Sequence, residues 1–181
     1  MRISARADYA VRAAIELASV GGTGGTGGTG RTAGTGGAGW TKTEQVAGAQ
    51  AIPLPFLLNI FKSLRDAGLV EAKRGIDGGY RLALAPAEIS VAAIVRAVDG
   101  PLASVAGALV EDREYAGSAV ALRDTWVALR CSIRSVLETV TLADLVAQQL
   151  PAPVLDLLSG EGAFTTRPQV RERFERRVEP A

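Results

Sequence analysis

Apolar residues recur at three- and four-residue spacings through Tyr9, Ala10, Ala13, Ala14, Leu17 and Ala18, which predicts an amphipathic helix over residues 7–20. The pattern stops in GGTGGTGGTGRTAGTGGAG, residues 21–39, a run with almost no side chains to bury against a core. We read it as a flexible insertion. A phosphate-cradling loop is disfavoured, because the run holds no Gly-Lys-Ser/Thr and follows a helix rather than a strand. Periodicity resumes after Trp40. Thr43-Glu44-Gln45 ahead of Val46, Ala47 and Ala49 predicts a short capped helix ending near Gln50. Ile52-Pro53-Leu54-Pro55 then opens a third helix, because proline is tolerated in a first turn, and Phe56, Leu57, Ile60, Phe61 and Leu64 follow with helical period. It stops at Ala67-Gly68, with Gly68 as the cap.

Two strands follow, residues 69–73 and 79–84, joined by Arg74-Gly75-Ile76-Asp77-Gly78, whose glycines permit a tight turn. Helix, short helix, turn, helix and hairpin in this order predict a winged helix-turn-helix. After Pro86, residues 90–98 carry Val91, Ile94, Val95 and Val98 on one side of a helix closed by Asp99-Gly100-Pro101. Residues 102–117 show little periodicity. A long helix over residues 118–139 bears the stripe Leu122, Trp126, Leu129, Ile133, Val136 and Leu137, which needs a partner surface. Thr141 opens a further capped helix, and the chain ends in RPQVRERFERRVEP, whose alternating charges suit a solvated helix rather than a DNA-binding arm. The expected fold class is mostly α with a small β-hairpin wing. Residues 1–100 form the winged module, 101–150 a loop and the long helix, and 151–181 a C-terminal extension.

Composition narrows the function. Among 181 residues there is no histidine and a single cysteine, Cys131, so an intrachain disulfide, a histidine-based triad and a metal centre of several thiolates are all excluded. We expect no enzyme activity and no metal or other cofactor. No segment offers the apolar length of a membrane span, and charges at the N-terminus replace the apolar stretch of a signal peptide, so a cytoplasmic protein with no membrane partner is expected. The net charge of +1 conceals an asymmetry. Residues 1–81 hold ten Lys/Arg and six Asp/Glu (+4), whereas residues 82–181 hold ten and thirteen (−3). A basic first half suits a polyanion.

The stretch TEQVAGAQAIPLPFLLNIFKSLRDAGLVEAKRGIDGGYRLALAPAEISVAAIVRAVDGPL, preceded by ISARADYAVRAAIELA and followed by W-x-x-L and VTLADLV, resembles the BadM/IscR/NsrR-type winged-helix transcription regulators. The resemblance spans about residues 1–146 apart from the glycine insertion. It implies an N-terminal module that reads double-stranded DNA, a homodimer formed through the long helix, and a loop before that helix that often carries three cysteines binding an iron–sulfur cluster. Residues 102–123 contain no cysteine, so the cluster site is absent from this sequence.

The third helix is expected to enter the major groove with Leu54, Pro55, Leu58, Asn59 and Lys62. Asn59 and Lys62 supply hydrogen-bond donors for base edges or phosphate, while Leu54 and Leu58 offer apolar contact, as to thymine methyl groups. In the wing, Arg74 is the candidate for the minor groove and Lys73 for phosphate, with Gly75, Gly78 and Gly79 letting the backbone approach the duplex. Thr43, Phe56 and Tyr80 complete the candidate DNA-facing set. The competing readings are an ordinary amphipathic helix and a solvated arginine on a glycine turn. Leu122, Trp126, Leu129, Ile133, Val136 and Leu137 are the candidate dimer contacts, and Trp126 is read as a core or dimer anchor rather than a ligand platform. Cys131 is expected to be a buried structural thiol, with redox sensing or an intersubunit bond as alternatives. With the resemblance, these residues lead us to expect a sequence-specific transcription regulator, a repressor on a palindromic operator. The rival is a winged helix that has lost DNA affinity and binds a protein.

Overall fold

The computed structural model describes residues 3–22 and 39–165. The glycine run lies almost wholly outside these residues, as does the charged stretch from Arg167 onward. The chain divides into two compact units, Met1–Leu150 and Pro151–Ala181.

In the first unit, α1 (Ala5–Gly22) packs against α2 (Thr43–Gln50), α3 (Leu54–Asp66), α4 (Val91–Asp99) and α6 (Leu142–Ala147). Its buried face is Ala7, Ala10, Ala13, Ala14, Leu17 and Ala18. Five alanines out of six allow neighbouring helices to approach closely, and the larger residues of those helices fill the core: Leu57, Ile60, Phe61 and Leu64 from α3, Ile94 and Val95 from α4, and Leu142 from α6.

Local chemistry sets the helix ends. The backbone N–H of Lys42 donates to Gln45 Oε1 at 3.0 Å, so the residue before Thr43 holds the N-cap position of α2. Ala51, left-handed at φ 51, turns the chain into α3, and buried Ile52 anchors the turn. At the other end of α3, Leu69 N–H donates to Leu64 O and Gly68 N–H to Arg65 O, both 2.9 Å, a Schellman closure made possible by Gly68 at φ 73. Ser90 Oγ accepts from Ala93 N–H at the start of α4. Thr141 and Asp144 cap α6 reciprocally, and a bridge between Ser90 and Thr141 ties that cap back to the start of α4.

Strands β1 (Val70–Lys73) and β2 (Gly79–Leu82) form the antiparallel hairpin, with Val70 opposite Leu82 and Lys73 opposite Gly79. A second, smaller hairpin pairs β3 (Ser104–Val105) with β4 (Ala108–Leu109) in the segment that lacked periodicity. Its turn residues Ala106 and Gly107 both have positive φ, as a two-residue hairpin turn requires. Helix α5 (Leu122–Leu137) is shorter than expected, with a turn of 3-10 helix at Gly117–Ala119 before it. In the second unit, α7 (Ala152–Leu158) begins behind Pro151. Among the described residues, no helix is long and apolar enough to cross a membrane.

Candidate nucleic-acid interface

The buried residues of α3 share one side of the helix, which leaves an outward ridge of Pro55, Asn59, Lys62 and Asp66 flanked by Leu54 and Leu58 on one edge and Phe56 on the other. Phe56 is 60% exposed and Leu58 47%. Apolar side chains this exposed at the start of a helix are not held there by the protein's own core. Lys62 is also exposed, and the Asn59 amide donates to Pro55 O at 3.1 Å within its own helix.

Two grooves border this ridge. One, of about 600 Å³, lies between the start of α2 and the wing, lined by Lys42, Thr43, Glu44, Arg65, Lys73, Arg74 and their neighbours in the turn. Four of its side chains are basic against one acid, Glu44. The other, of about 480 Å³, runs along the opposite edge and is lined by Phe56, Asn59, Lys62, Ser63 and Asp66 from α3 and by Arg6 from α1. Arg6 also donates to Ser63 Oγ at 2.8 Å. Sequence reading missed Lys42, Arg65 and Arg6. Nothing local marks Arg6 and Lys42, which only the packing of α1 and α2 brings to the edges of α3, whereas Arg65 lies on α3 itself, seven residues after Leu58. Ile76, 86% exposed at the tip of the wing, was likewise passed over.

The wing is fixed to α3 through its inner face. The rings of Phe61 and Tyr80 stack at 4.2 Å and 19°. Beside them, Thr41 adds a bridge to β2, with Thr41 N–H to Tyr80 O at 2.9 Å and Tyr80 N–H to Thr41 O at 2.8 Å. Arg81 lies 4.6 Å over the Trp40 ring and pairs with Glu71 across the hairpin at 2.7 Å. The segment that follows the glycine run is therefore a third, short edge of the wing.

These contacts revise several sequence expectations. Thr43 is buried and backs the groove instead of facing out of it. Tyr80 spends its ring on Phe61. A Cβ on Gly78 would lie 2.2 Å from Lys73 O, and one on Gly79 2.3 Å from Thr41 O, so close internal packing by itself requires glycine at both positions. Gly75, at φ 106 with nothing within 4 Å, remains open to the outside together with Lys73 and Arg74.

The stripe on α5 also divides. Ile133 is buried and, with Leu137, lines a small cavity against Ile3, Ala7 and Val95 of its own chain. Ile133 is thus already covered by its own subunit. Leu122 and Leu129 are exposed, and Trp126 and Val136 are half-buried. Cys131 is exposed on α5, contrary to the expectation of a buried thiol.

A reading helix presented on a short helix and a turn, with a hairpin locked beside it, defines the winged helix-turn-helix class. Comparison with known proteins agrees. A profile of the Rrf2 family, described as iron-dependent transcriptional regulators, matches residues 31–148. A Mycobacterium tuberculosis relative named as an HTH-type transcriptional regulator is 46% identical over 158 residues, 87% of this chain and 88% of its own. The HTH-type transcriptional regulator CymR of Bacillus subtilis is 31% identical over 147 residues, 81% of this chain and 91% of its own. Among solved structures, CymR, titled the global cysteine regulator of B. subtilis, superposes with a TM-score of 0.61 at 30% identity, covering 82% of this chain and 98% of its own. T. potens IscR gives 0.59 at 28% identity, over 86% and 96%. The chain belongs to the Rrf2 family and is a DNA-binding transcription regulator. The comparisons support this over a protein-interaction module.

The iron of the family description does not suit this chain's donors. One thiol, no imidazole, and among the described residues no group of three His, Cys, Asp or Glu side chains gives a cluster nothing to replace the expected loop cysteines. Instead the loop before α5 is held by its own side chains. Arg113 donates to Val105 O through Nε at 3.0 Å and Nη2 at 2.8 Å, Arg123 reaches Glu111 O at 3.3 Å, and Arg130 pairs with the Glu111 carboxylate. Its own backbone amide first, and Arg130 next to it, hold the Glu111 carboxyl below the usual carboxylate range.

Proposed function

We propose that the protein is a cytoplasmic, non-enzymatic repressor that binds a palindromic operator as a homodimer, with α3 in the major groove and the wing along the adjacent minor groove. The observation that carries this reading is the uncovered α3 ridge, apolar at Leu54, Pro55, Phe56 and Leu58 and polar at Asn59 and Lys62, bordered by the basic groove with Lys73 and Arg74. Apolar side chains at the N-terminal end of a reading helix match thymine methyl groups, and the basic flank matches phosphate. Leu122 and Leu129 supply exposed apolar surface for two-fold pairing of α5. Such pairing sets the two reading helices about one helical turn of DNA apart, hence a palindrome.

Selection of bound duplexes from a random pool tests this directly, and the recovered operator allows positioning to be separated from reading. Arg74→Ala is expected to weaken operator binding by about 1 to 3 kcal/mol and to relax preference at a few A·T positions. If Lys62 touches only phosphate, Lys62→Ala should weaken operator and scrambled duplexes alike and lower the salt slope by about one unit, because one fewer counterion is released. Unchanged affinity in both variants, or a pool with no recovered palindrome, refutes the reading.

A further inference from the structure

A pocket of about 160 Å³ opens where α4 and α5 meet the chain at residues 101–103 and Leu109, and Arg96 of α4 with Arg130 and Arg134 of α5 line it. The remaining lining is Pro101, Leu102, Ala103 and Leu109, and of the three arginines Arg130 is the most enclosed, while Arg96 and Arg134 are partly open to solvent. Two carboxylates answer them from outside the lining. Glu138 takes both Arg96 and Arg134, and Glu111 takes Arg130. Each arginine makes its ion pair through one nitrogen, although a guanidinium offers five N–H donors in a planar fork. Arg130 Nε is moreover buried with no acceptor; Trp126 Nε1, one helical turn earlier on the same helix and outside the pocket lining, is also buried without one. Buried N–H groups without acceptors are uncommon in proteins and mark places where an acceptor from outside is to be expected.

We propose that this pocket binds a small anion, inorganic phosphate or a short-chain carboxylate, on the forks of Arg96, Arg130 and Arg134. An oxyanion supplies several acceptor oxygens in the geometry that guanidinium groups recognise. The pocket is small, about 160 Å³, which suits an anion of a few heavy atoms. The place is also suited to regulation. Arg96 belongs to the winged module and Arg130 and Arg134 to α5, and Pro101 and Leu102 also line a second cavity, of about 170 Å³. A linking segment that lines two cavities can shift when the three arginines are drawn together. An effect of the anion on operator affinity rests on the DNA-binding reading above. Binding of the anion does not, and its test uses no DNA, so the two fail separately.

The test uses the full chain carrying Trp40→Phe, which leaves Trp126 as its one tryptophan. Sodium phosphate and malonate are titrated at constant ionic strength against chloride, with Trp126 emission and calorimetry as readouts. The expected result is saturable binding of one of these probes at one per chain, with a change in Trp126 emission. Arg130→Gln and Arg130→Lys should each weaken it at least about tenfold, the lysine because it keeps the charge and loses the fork. Should the Arg130 variants fail to fold, the exposed Arg96→Gln serves in their place. Absence of saturable binding for both probes overturns the proposal. Binding that survives these variants but is lost in Arg74→Ala places the anion on the DNA face and overturns it equally.

Discussion

Replacing Gly79 by alanine tests whether the wing's glycines serve the protein or the duplex. The added Cβ would lie 2.3 Å from the carbonyl oxygen and 2.7 Å from the carbonyl carbon of Thr41. Both are backbone atoms, so no side chain can swing aside, and β2 must separate from the Thr41 segment. That separation breaks the two bridge hydrogen bonds at 2.9 and 2.8 Å. At about 1 kcal/mol for each bond, with about 1 kcal/mol or more of strain for a side chain at this positive φ, the expected loss is about 2 to 4 kcal/mol. Gly75→Ala is the comparison, because nothing lies within 4 Å of its Cβ and only its φ of 106 is unfavourable. Urea denaturation of both variants gives the stabilities, and hydrogen exchange at the Thr41 and Tyr80 amides reports the bridge itself. If Gly79→Ala loses less than about 1 kcal/mol, or leaves both amides as protected as in the parent, the close approach is not what this glycine serves.

On the proposed pairing of α5, Leu129→Asp, which places a charge on an exposed face, should shift the protein toward monomer in sedimentation while its circular dichroism stays that of a folded chain, because Leu129 is 43% exposed; a dimer of undiminished affinity would refute the assignment of that face. The Thr141 hydroxyl, followed by its backbone N–H, holds Asp144 below the usual carboxylate range. A carboxylate whose folded pKa is depressed contributes stability that is present above its unfolded pKa and lost as pH falls through the folded value. Asp144→Asn should therefore have a shallower loss of stability below about pH 4 than the parent, read from urea midpoints across pH, and parallel curves would sink the idea. Purified without oxygen, the protein is expected to be colourless, since one thiolate and no imidazole per chain offer too few ligands. Visible absorption with stoichiometric iron and sulfide, as from a cluster shared by two Cys131 residues, would refute this.

What the sequence determined by itself was local. Helical period located α1, α3, α4 and α5, and single residues marked the ends: Gly68 after α3, Ser90 before α4 and Thr141 before α6. These signals survive in a lone sequence because a helix repeats every 3.6 residues and its caps lie within a turn of the end. The small β3–β4 hairpin escaped because each strand has two residues, too few for alternation to register, and Ala106-Gly107 is a weaker turn signal than Asn-Gly. The rest depended on which distant segments pack together. Only the tertiary structure showed that Thr41 pairs with Tyr80, that Tyr80 stacks on Phe61, and that Gly78 and Gly79 are small for the sake of their own chain. Only it divided one apolar stripe on α5 into Ile133, covered by its own subunit, and Leu122 and Leu129, left exposed. Periodicity tells which side of a helix avoids water, but not whether the same chain, a second chain or DNA covers it, because covering is done by residues far away in sequence.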